Sequence, residues 1–112
     1  MSGRKSRRAK AVDIPQQVKR SVFERDGGRC VYCKSSLNVS PNAHYIRRSK
    51  GGLGIEENIV TLCNQFSKNK CHDRYDNGTL EEREIIGKAI HDYLKSCYAN
   101  WDERNLIFKR EY

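Results

Sequence analysis

Long apolar segments are missing from this sequence. Hydrophobic residues make up 37% of the 112 residues, and no segment approaches the ~20 consecutive apolar residues that a membrane-spanning helix requires. No apolar stretch follows the basic N-terminal residues, so the features of a secretory signal peptide are also missing. We therefore expect no membrane partner and a location in the reducing cytoplasm.

Acidic residues are missing from the first ten positions. Residues 1–10 read MSGRKSRRAK, whereas the other 102 residues contain 17 basic and 14 acidic side chains, and the whole chain has a net charge of +8. Blocks of like charge are usually unfolded and often bind polyanions. We predict a flexible arm over residues 1–12 that contacts nucleic-acid phosphates, with a solubilising tail as the alternative. The basic residues of this arm are Arg4, Lys5, Arg7, Arg8 and Lys10.

The chain also has too few apolar residues for a large core. Its length is that of one small domain, and domains of this size often need a bound metal or disulfides for stability. The sequence contains five cysteines. In a reducing compartment, clustered cysteines more often bind metal than form disulfides.

The spacing of the cysteines predicts a structural zinc site. Cys30 and Cys33 form a C-x-x-C motif, and seven residues separate Cys63 from Cys71. Two such pairs about 30 residues apart can supply four thiolates at tetrahedral positions. A thioredoxin-like redox pair is the alternative for Cys30 and Cys33, but it requires a βαβ pattern that this sequence does not show.

A short helix is predicted directly after the arm. Asp13 and Pro15 are residue types that cap a helix and occupy its first turn, and Gly27-Gly28 is a typical helix end. The apolar stripe of this helix consists of Val18, Val22 and Phe23.

Two strands and a second short helix follow. Residues 43–47 and 59–62 are rich in β-branched or aromatic side chains, which predicts the two strands of a hairpin. The loop between them, SKGGLGIEEN, contains three glycines. The segment CHDRYDNG then predicts a short helix that stops at Asn77-Gly78.

The longest predicted helix lies near the C-terminus. Thr79 and Glu82 form a T-x-x-E capping box that opens a helix from about Leu80 to Tyr98. Its apolar face should lie in the core, where Cys97 is predicted to be a buried free thiol. Residues 106–108 are predicted to dock as a final extended segment. The apolar face consists of Ile86, Ile90, Tyr93, Leu94 and Cys97.

Three polar residues lie on or directly beside the predicted strands and the second cysteine pair. His44 lies on the first predicted strand, Asn58 precedes the second, and His72 directly follows the last cysteine of the second pair. A hairpin flanked by the two cysteine pairs should bring these three side chains close together.

The same segments carry a resemblance to a known family. The stretches FERDGGRCVYC, AHYIRRSKGGLGIEENIVTLC and CHDRYDNG together resemble the HNH nucleases, the zinc-knuckle ββα-metal class. The resemblance covers roughly residues 20–78. The C-terminal stretch IHDYLKSCYANWDERNLIFKREY is similar to the extension of small phage-encoded HNH proteins, which is a less specific match.

The resemblance implies a fold and a domain division. The fold would be α+β, with a small ββα-metal (HNH) core and a four-cysteine zinc knuckle, flanked by an N-terminal helix and a longer C-terminal helix. The nuclease core would occupy residues 13–78, and residues 79–112 would form the C-terminal helix and an extension packed on the core.

The resemblance also implies roles for individual residues. His44 would be the general base, Asn58 would brace the loop that orients it, and His72 would bind a catalytic divalent metal. Asp76 lies one helical turn after His72 and would replace a histidine ligand of some family members. Ala43 departs from the pattern, because many members have a metal ligand there.

Phosphodiester hydrolysis requires groups of these types. A neutral imidazole with a pKa near ~6.5 can take a proton from water at neutral pH. A metal ion such as Mg²⁺, Mn²⁺ or Ni²⁺ stabilises the leaving oxygen. Basic side chains close to the base can bind the flanking phosphates. Those that follow His44 are Arg47, Arg48 and Lys50.

We therefore predict a metal-dependent endonuclease that acts on double-stranded DNA. The resemblance further implies that the protein is phage-encoded and acts in the host cytoplasm in DNA processing or packaging. Phage packaging proteins are then further candidate partners. A zinc-stabilised DNA-binding module without catalysis is the alternative. His72 could instead be a zinc ligand, Asp76 a surface acid, and the basic residues after His44 a solvated face. His91 is predicted to be a surface residue without partners.

Overall fold

The computed structural model describes residues 6–109 of the chain, which adopt an α+β fold. Four α-helices and a two-stranded antiparallel sheet make up the described part, joined by single turns of 3₁₀ helix. The elements are α1 (Arg7–Val12), α2 (Gln16–Arg25), β1 (Val39–His44), β2 (Ile59–Cys63), α3 (Cys71–Asn77) and α4 (Leu80–Cys97). The predicted α+β class, with a longer helix at the C-terminal side, is confirmed.

The two strands form the hairpin, but β1 differs in extent from the prediction. In the register Val39 faces Cys63 and His44 faces Ile59, with an irregularity between Ser40 and Ala43. Pro41 lies in this irregular stretch and has no N–H to donate to the ladder. Strand β1 therefore spans Val39–His44 instead of the predicted residues 43–47, whereas β2 lies at Ile59–Cys63, close to the prediction.

The N-terminal arm is a correction to the sequence analysis for the part that the structure describes. Residues 7–12 form α1, where a flexible arm was predicted. The Oγ of Ser6 accepts a hydrogen bond from the backbone N–H of Ala9 at 3.0 Å, and the side chain of Val12 is buried. An N-cap serine, residues of good helix propensity and one buried anchor therefore favour a docked helix over a free arm. Arg4 and Lys5 lie outside the described residues.

Asp13 is the second correction in this region. It was predicted to cap α2, but the N-cap position of α2 is Pro15 and no side chain caps it. Asp13 instead follows α1, and its Oδ1 accepts a hydrogen bond from Nη2 of Arg48 at 2.8 Å. The carboxylate therefore joins the N-terminal segment to the hairpin loop.

Three apolar residues of helix α4 lie in the core, as the sequence predicted. The capping box is confirmed, because the Thr79 side chain accepts from the N–H of Glu82 and the Glu82 side chain accepts from the N–H of Thr79. Ile86, Ile90 and Leu94 are fully buried. They pack in one cluster with residues of both strands and of the cysteine-bearing segments.

Two expectations for the C-terminal region are corrected. Cys97 is only half-buried, and its sulfur is a free thiol. His91 is not an isolated surface residue, because its ring centroid lies 5.1 Å from that of Trp101 and its Nδ1 lies 3.0 Å from Oδ1 of Asp92. The Nε1 of Trp101 donates to the carbonyl of Glu57 at 2.7 Å and holds the C-terminal segment against the hairpin.

The C-terminal segment docks, as predicted, and the surface that it contacts is the glycine-rich loop. The N–H of Leu53 donates to the carbonyl of Leu106 at 2.8 Å, and the N–H of Phe108 donates to the carbonyl of Gly51 at 2.8 Å. Leu106 is almost completely buried. Across residues 6–109, every helix is either too short or too polar to serve as a membrane span.

A buried ion pair at the end of α2 holds the start of β2. The Nε of Arg25 lies 2.8 Å from Oδ1 of Asp26. The same guanidinium donates to the carbonyl oxygens of Glu56 at 2.8 Å and of Ile59 at 2.7 Å. These bonds grip the chain on both sides of Asn58, so they position the residue that organises the candidate site.

Candidate functional site

The four predicted cysteines converge on one point. The sulfur atoms of Cys30, Cys33, Cys63 and Cys71 all lie within 4.8 Å of one another, and three of the four residues are buried. They come from the turn after α2, the end of β2 and the first residue of α3. One metal ion could be held by this group, and four sulfur ligands at a single point are typical of a structural metal site.

Backbone N–H groups are directed at the sulfurs. The N–H of Cys33 donates to Sγ of Cys30 at 3.4 Å, and that of Cys71 donates to Sγ of Cys63 at 3.1 Å. Such bonds favour the thiolate form that a metal requires. Because the second pair lies beside the first, the arrangement supports a shared metal over an isolated redox pair at Cys30 and Cys33.

Burial works against thiolates in the absence of a cation. Burial raises the pKa of the Cys30 thiol, and burial together with the hydrogen-bonded sulfur of Cys63 raises the pKa of Cys71 well above its usual range. At Cys33 burial is outweighed by hydrogen bonds to the sulfur, which lower its pKa to about 7. Without a cation, hydrogen bonds through sulfur are the links within the cluster between the three segments. A bound cation would deprotonate the thiols and link these segments together.

His44 ends β1 and is held by a hydrogen bond to the backbone. Its side chain is largely buried, and its Nε2 lies 2.9 Å from the carbonyl oxygen of Val12. A carbonyl oxygen can only accept, so Nε2 carries the proton and Nδ1 keeps its lone pair. The Nδ1 atom has no hydrogen-bond partner within residues 6–109. His44 is therefore built to accept a proton at Nδ1.

The electrostatic surroundings keep the His44 ring neutral. Burial lowers the pKa of His44, the hydrogen bond to Val12 opposes this shift, and the positive charge of Arg48 adds to it. A lowered pKa leaves the ring uncharged at neutral pH, which is the form that can act as a base.

His72 and Asp76 face the same cleft as His44. The cleft has a volume of about 730 Å³. On α3, Nε2 of His72 lies 3.2 Å from Oδ2 of Asp76, one helical turn further on. An imidazole and a carboxylate at this separation could share one cation, with water and substrate as its other ligands. Within residues 6–109 the cysteine cluster is the one group of three or more such side chains, so this pair would form an open site.

Ala43 occupies the position at which many members of the resembled family have a metal ligand. It is completely buried and belongs to the core cluster. Neighbouring strand residues point to opposite faces, so position 43 faces the core while His44 lines the cleft.

Asn58 forms hydrogen bonds to two backbone positions in the connection between β1 and β2. It is fully buried, and its Oδ1 accepts from the N–H of Ile46 at 2.8 Å. Its Nδ2 donates to the carbonyl of Ile46 at 3.1 Å and to that of Leu53 at 2.9 Å. The connection that follows β1 is thus held from inside by Asn58, the residue for which the resemblance implied a bracing role.

The predicted basic residues lie in three places: the cleft, a neighbouring groove and the surface of α1. Arg47 and Arg48 line the cleft, whereas Lys50 lines a neighbouring groove. The Nη2 of Arg47 donates to the carbonyl of Asp76 at 2.9 Å, so its charge is not paired with a carboxylate there. Arg7, Arg8 and Lys10 are exposed on α1.

The neighbouring groove contains basic residues that sequence reasoning missed. It has a volume of about 620 Å³ and shares Arg47 with the cleft. Arg83 and Lys88 of α4 line it together with Lys50, and so do Glu84 and Glu103. Lys88 is paired with Asp92 at 3.1 Å. The Nε of Arg83 is buried and has no hydrogen-bond partner in the described part of the chain. The apolar periodicity of α4 predicted only its buried face, and the sequence signal for the groove was a pair of basic residues five positions apart on this helix.

The chain matches no known protein family, no curated protein and no solved structure.

Proposed function

We propose that this protein is a metal-dependent DNA endonuclease of the HNH type. One observation carries the proposal: His44, with a free Nδ1, lines the same cleft as the His72–Asp76 pair. A proton acceptor and a two-ligand cation site in one open, basic cleft are the two groups that hydrolysis of a phosphodiester requires.

We assign each residue of the cleft a separate role in the proposed reaction. Nδ1 of His44 takes a proton from the attacking water, and the carbonyl of Val12 holds the ring by its other nitrogen. A divalent cation such as Mg²⁺, Mn²⁺ or Ni²⁺, bound by His72 and Asp76, would supply positive charge for the leaving 3′ oxygen. The products would carry 5′-phosphate and 3′-hydroxyl ends. Arg47 and Arg48 bind the neighbouring phosphates.

The cysteine cluster is proposed to hold a structural zinc ion. Four thiolates with no open coordination position are the ligand set of closed zinc sites. The hairpin followed by α3 would then be a ββα-metal core with a zinc knuckle, the fold that the sequence resemblance implied. A setting in phage DNA processing rests on the resemblance of the C-terminal stretch alone.

A plasmid-nicking assay tests this function. Supercoiled plasmid should be converted to open-circular or linear DNA in the presence of Mg²⁺, Mn²⁺ or Ni²⁺, and EDTA added with the plasmid should prevent it. The alternative, a DNA-binding module without catalysis, would retard DNA in gels and leave the plasmid supercoiled with all three metals. That result would overturn the proposal.

The groove beside the cleft is proposed to extend the DNA-binding surface. It joins the cleft at Arg47, and neither Lys50 nor Arg83 forms an ion pair within residues 6–109. The groove has four basic side chains against the carboxylates of Glu84 and Glu103, so its net charge is positive. Such a groove next to a reaction site would bind the flanking phosphate backbone.

Replacing Arg83 with glutamine should weaken DNA binding. We expect the slope of log K against log salt to fall by roughly one unit, because about one phosphate contact is lost. Fluorescence anisotropy with labelled duplex DNA at several salt concentrations would measure it. Lys95→Gln is the matched control, since Lys95 is an exposed basic residue of α4 that does not line the groove. Equal slopes for the two variants would contradict the prediction.

A further inference from the structure

We propose that α1 is a positioning element for His44, with the carbonyl of its last residue selecting which ring nitrogen is free. The expected effect of α1 on cleavage rests on the proposed function. The contact between α1 and the His44 ring does not depend on it. The segment that the sequence predicted to be a flexible phosphate-binding arm would thus belong in part to the reaction site.

The carbonyl of Val12 is the centre of the arrangement. It accepts from Nε2 of His44 at 2.9 Å and from Nη1 of Arg48 at 3.3 Å. Val12 is the C-terminal residue of α1, so its carbonyl has no partner within the helix and is available for these bonds. Burial of the Val12 side chain anchors this end of the helix.

Three further contacts dock α1 on the glycine-rich loop. The N–H of Gly54 donates to the carbonyl of Ala11 at 2.9 Å. The Nη2 of Arg8 donates to the carbonyl of Ser49 at 2.8 Å, and Arg48 pairs with Asp13. All of these partners belong to the loop that directly follows β1. The position of α1 and the orientation of the His44 ring are therefore coupled.

The contact at Gly54 shows how close α1 lies to the loop. A Cβ atom at position 54 would lie 1.9 Å from the carbonyl oxygen of Asp13 and 3.0 Å from Cα of Ile14. Both obstacles are backbone, so a side chain there can be accommodated only if the segment after α1 moves away. The backbone of Gly54 itself is not in the left-handed region, so an alanine is otherwise acceptable at this position.

The hydrogen bond from Nε2 matters because a neutral imidazole exists as two tautomers. The carbonyl of Val12 accepts a proton only from the Nε2–H form, which leaves Nδ1 as the base. If α1 is displaced, water can bind either nitrogen and both tautomers are populated. The fraction of rings with a basic Nδ1 then decreases, although no group that contacts substrate or metal has changed.

The Gly54→Ala variant tests the inference. In the wild type, ¹⁵N NMR of histidine-labelled protein at neutral pH should show His44 as a single Nε2–H tautomer. In Gly54→Ala the two ring nitrogens should report a mixture. Cleavage at saturating DNA and metal should decrease, but by less than the roughly 10²–10⁴-fold loss expected on removal of the base, because part of the rings keep a basic Nδ1. Mn²⁺ affinity should not change.

A second glycine variant, away from α1, separates positioning from general damage. Gly28 has a φ of +67°, and a Cβ there would lie 3.1 Å from the ring of Phe23. Gly28→Ala should therefore also destabilise the fold, but it should leave the His44 tautomer and the cleavage rate of the folded protein at their wild-type values.

Each outcome supports or overturns the inference. A folded Gly54→Ala protein in which His44 keeps the pure Nε2–H tautomer overturns it, and so does a wild type with the proton on Nδ1. A tautomer shift in a protein that does not cleave DNA supports α1 positioning and rejects the proposed function. If Gly54→Ala does not fold, Arg8→Ala removes the Ser49 contact, and the same NMR spectrum should show a smaller shift; no shift there overturns the inference.

Discussion

Cleavage of DNA should fall by roughly 10²–10⁴-fold when His44 is replaced by alanine, which is the usual contribution of a positioned general base. The imidazole is the proton acceptor of the cleft, and its one hydrogen bond within the described residues goes to the backbone of Val12. The variant should therefore keep its fold, its cysteine-bound metal and its DNA affinity. Single-turnover cleavage of a labelled duplex measures the loss of rate.

Replacement of His72 or Asp76 should stop cleavage in a different way. These two side chains, 3.2 Å apart, are the proposed ligands of the catalytic cation. Calorimetric titration with Mn²⁺ should show weaker binding for His72→Ala and Asp76→Ala and unchanged binding for His44→Ala. If His44→Ala cleaves like the wild type, His44 is not the base; if it loses metal affinity equally, His44 is a ligand instead.

The pH dependence of cleavage follows from the same residue. Burial lowers the pKa of His44, with the hydrogen bond to Val12 acting in the opposite direction and the charge of Arg48 in the same direction. The ring thus stays neutral to a more acidic pH than an ordinary histidine. Cleavage by the wild type should decrease as pH falls through a midpoint below 6.5, because a protonated imidazole cannot accept a proton.

Short-range patterns account for the parts of the fold that were predicted correctly. The capping box at Thr79 and Glu82 and the stop at Gly78 involve residues within one helical turn, so the sequence states them directly. The cysteine cluster could also be predicted, because a C-x-x-C turn limits where two sulfurs can lie and a shared metal site requires a second pair of ligands.

Contacts between distant segments account for the errors. Residues 7–12 have the composition of a free arm, and the partners that dock them, such as Ser49 and Gly54, lie about 40 residues further along. The acceptor for His44 is a backbone carbonyl, which every residue has, so no residue type marks Val12 as part of the site. The bounds of strand β1 were predicted wrongly because a proline such as Pro41 usually argues against a strand. It fits here only because the pairing with β2 is irregular between Ser40 and Ala43.

Removal of the metal from the cysteine cluster should unfold the protein. A sheet of two strands is marginally stable by itself, and the cluster lies inside the core, where Cys30, Cys63 and Cys71 are fully buried. A zinc ion there would link the turn after α2, the end of β2 and the start of α3. Because its binding energy is folding energy in such a small domain, a strong chelator should abolish the cooperative thermal transition seen by circular dichroism.

A cysteine outside the cluster provides the control for this prediction. Purified protein should contain about one zinc per chain by elemental analysis. Cys63→Ser should lose the zinc and the cooperative transition, whereas Cys97→Ser should keep both, since Cys97 is half-buried in α4 and is not part of the cluster. A folded, zinc-free protein with disulfides between the cluster cysteines would contradict the metal-linked core. The catalytic cation should not replace zinc in this role, because its proposed ligands lie on the cleft side of α3 and use oxygen and nitrogen atoms.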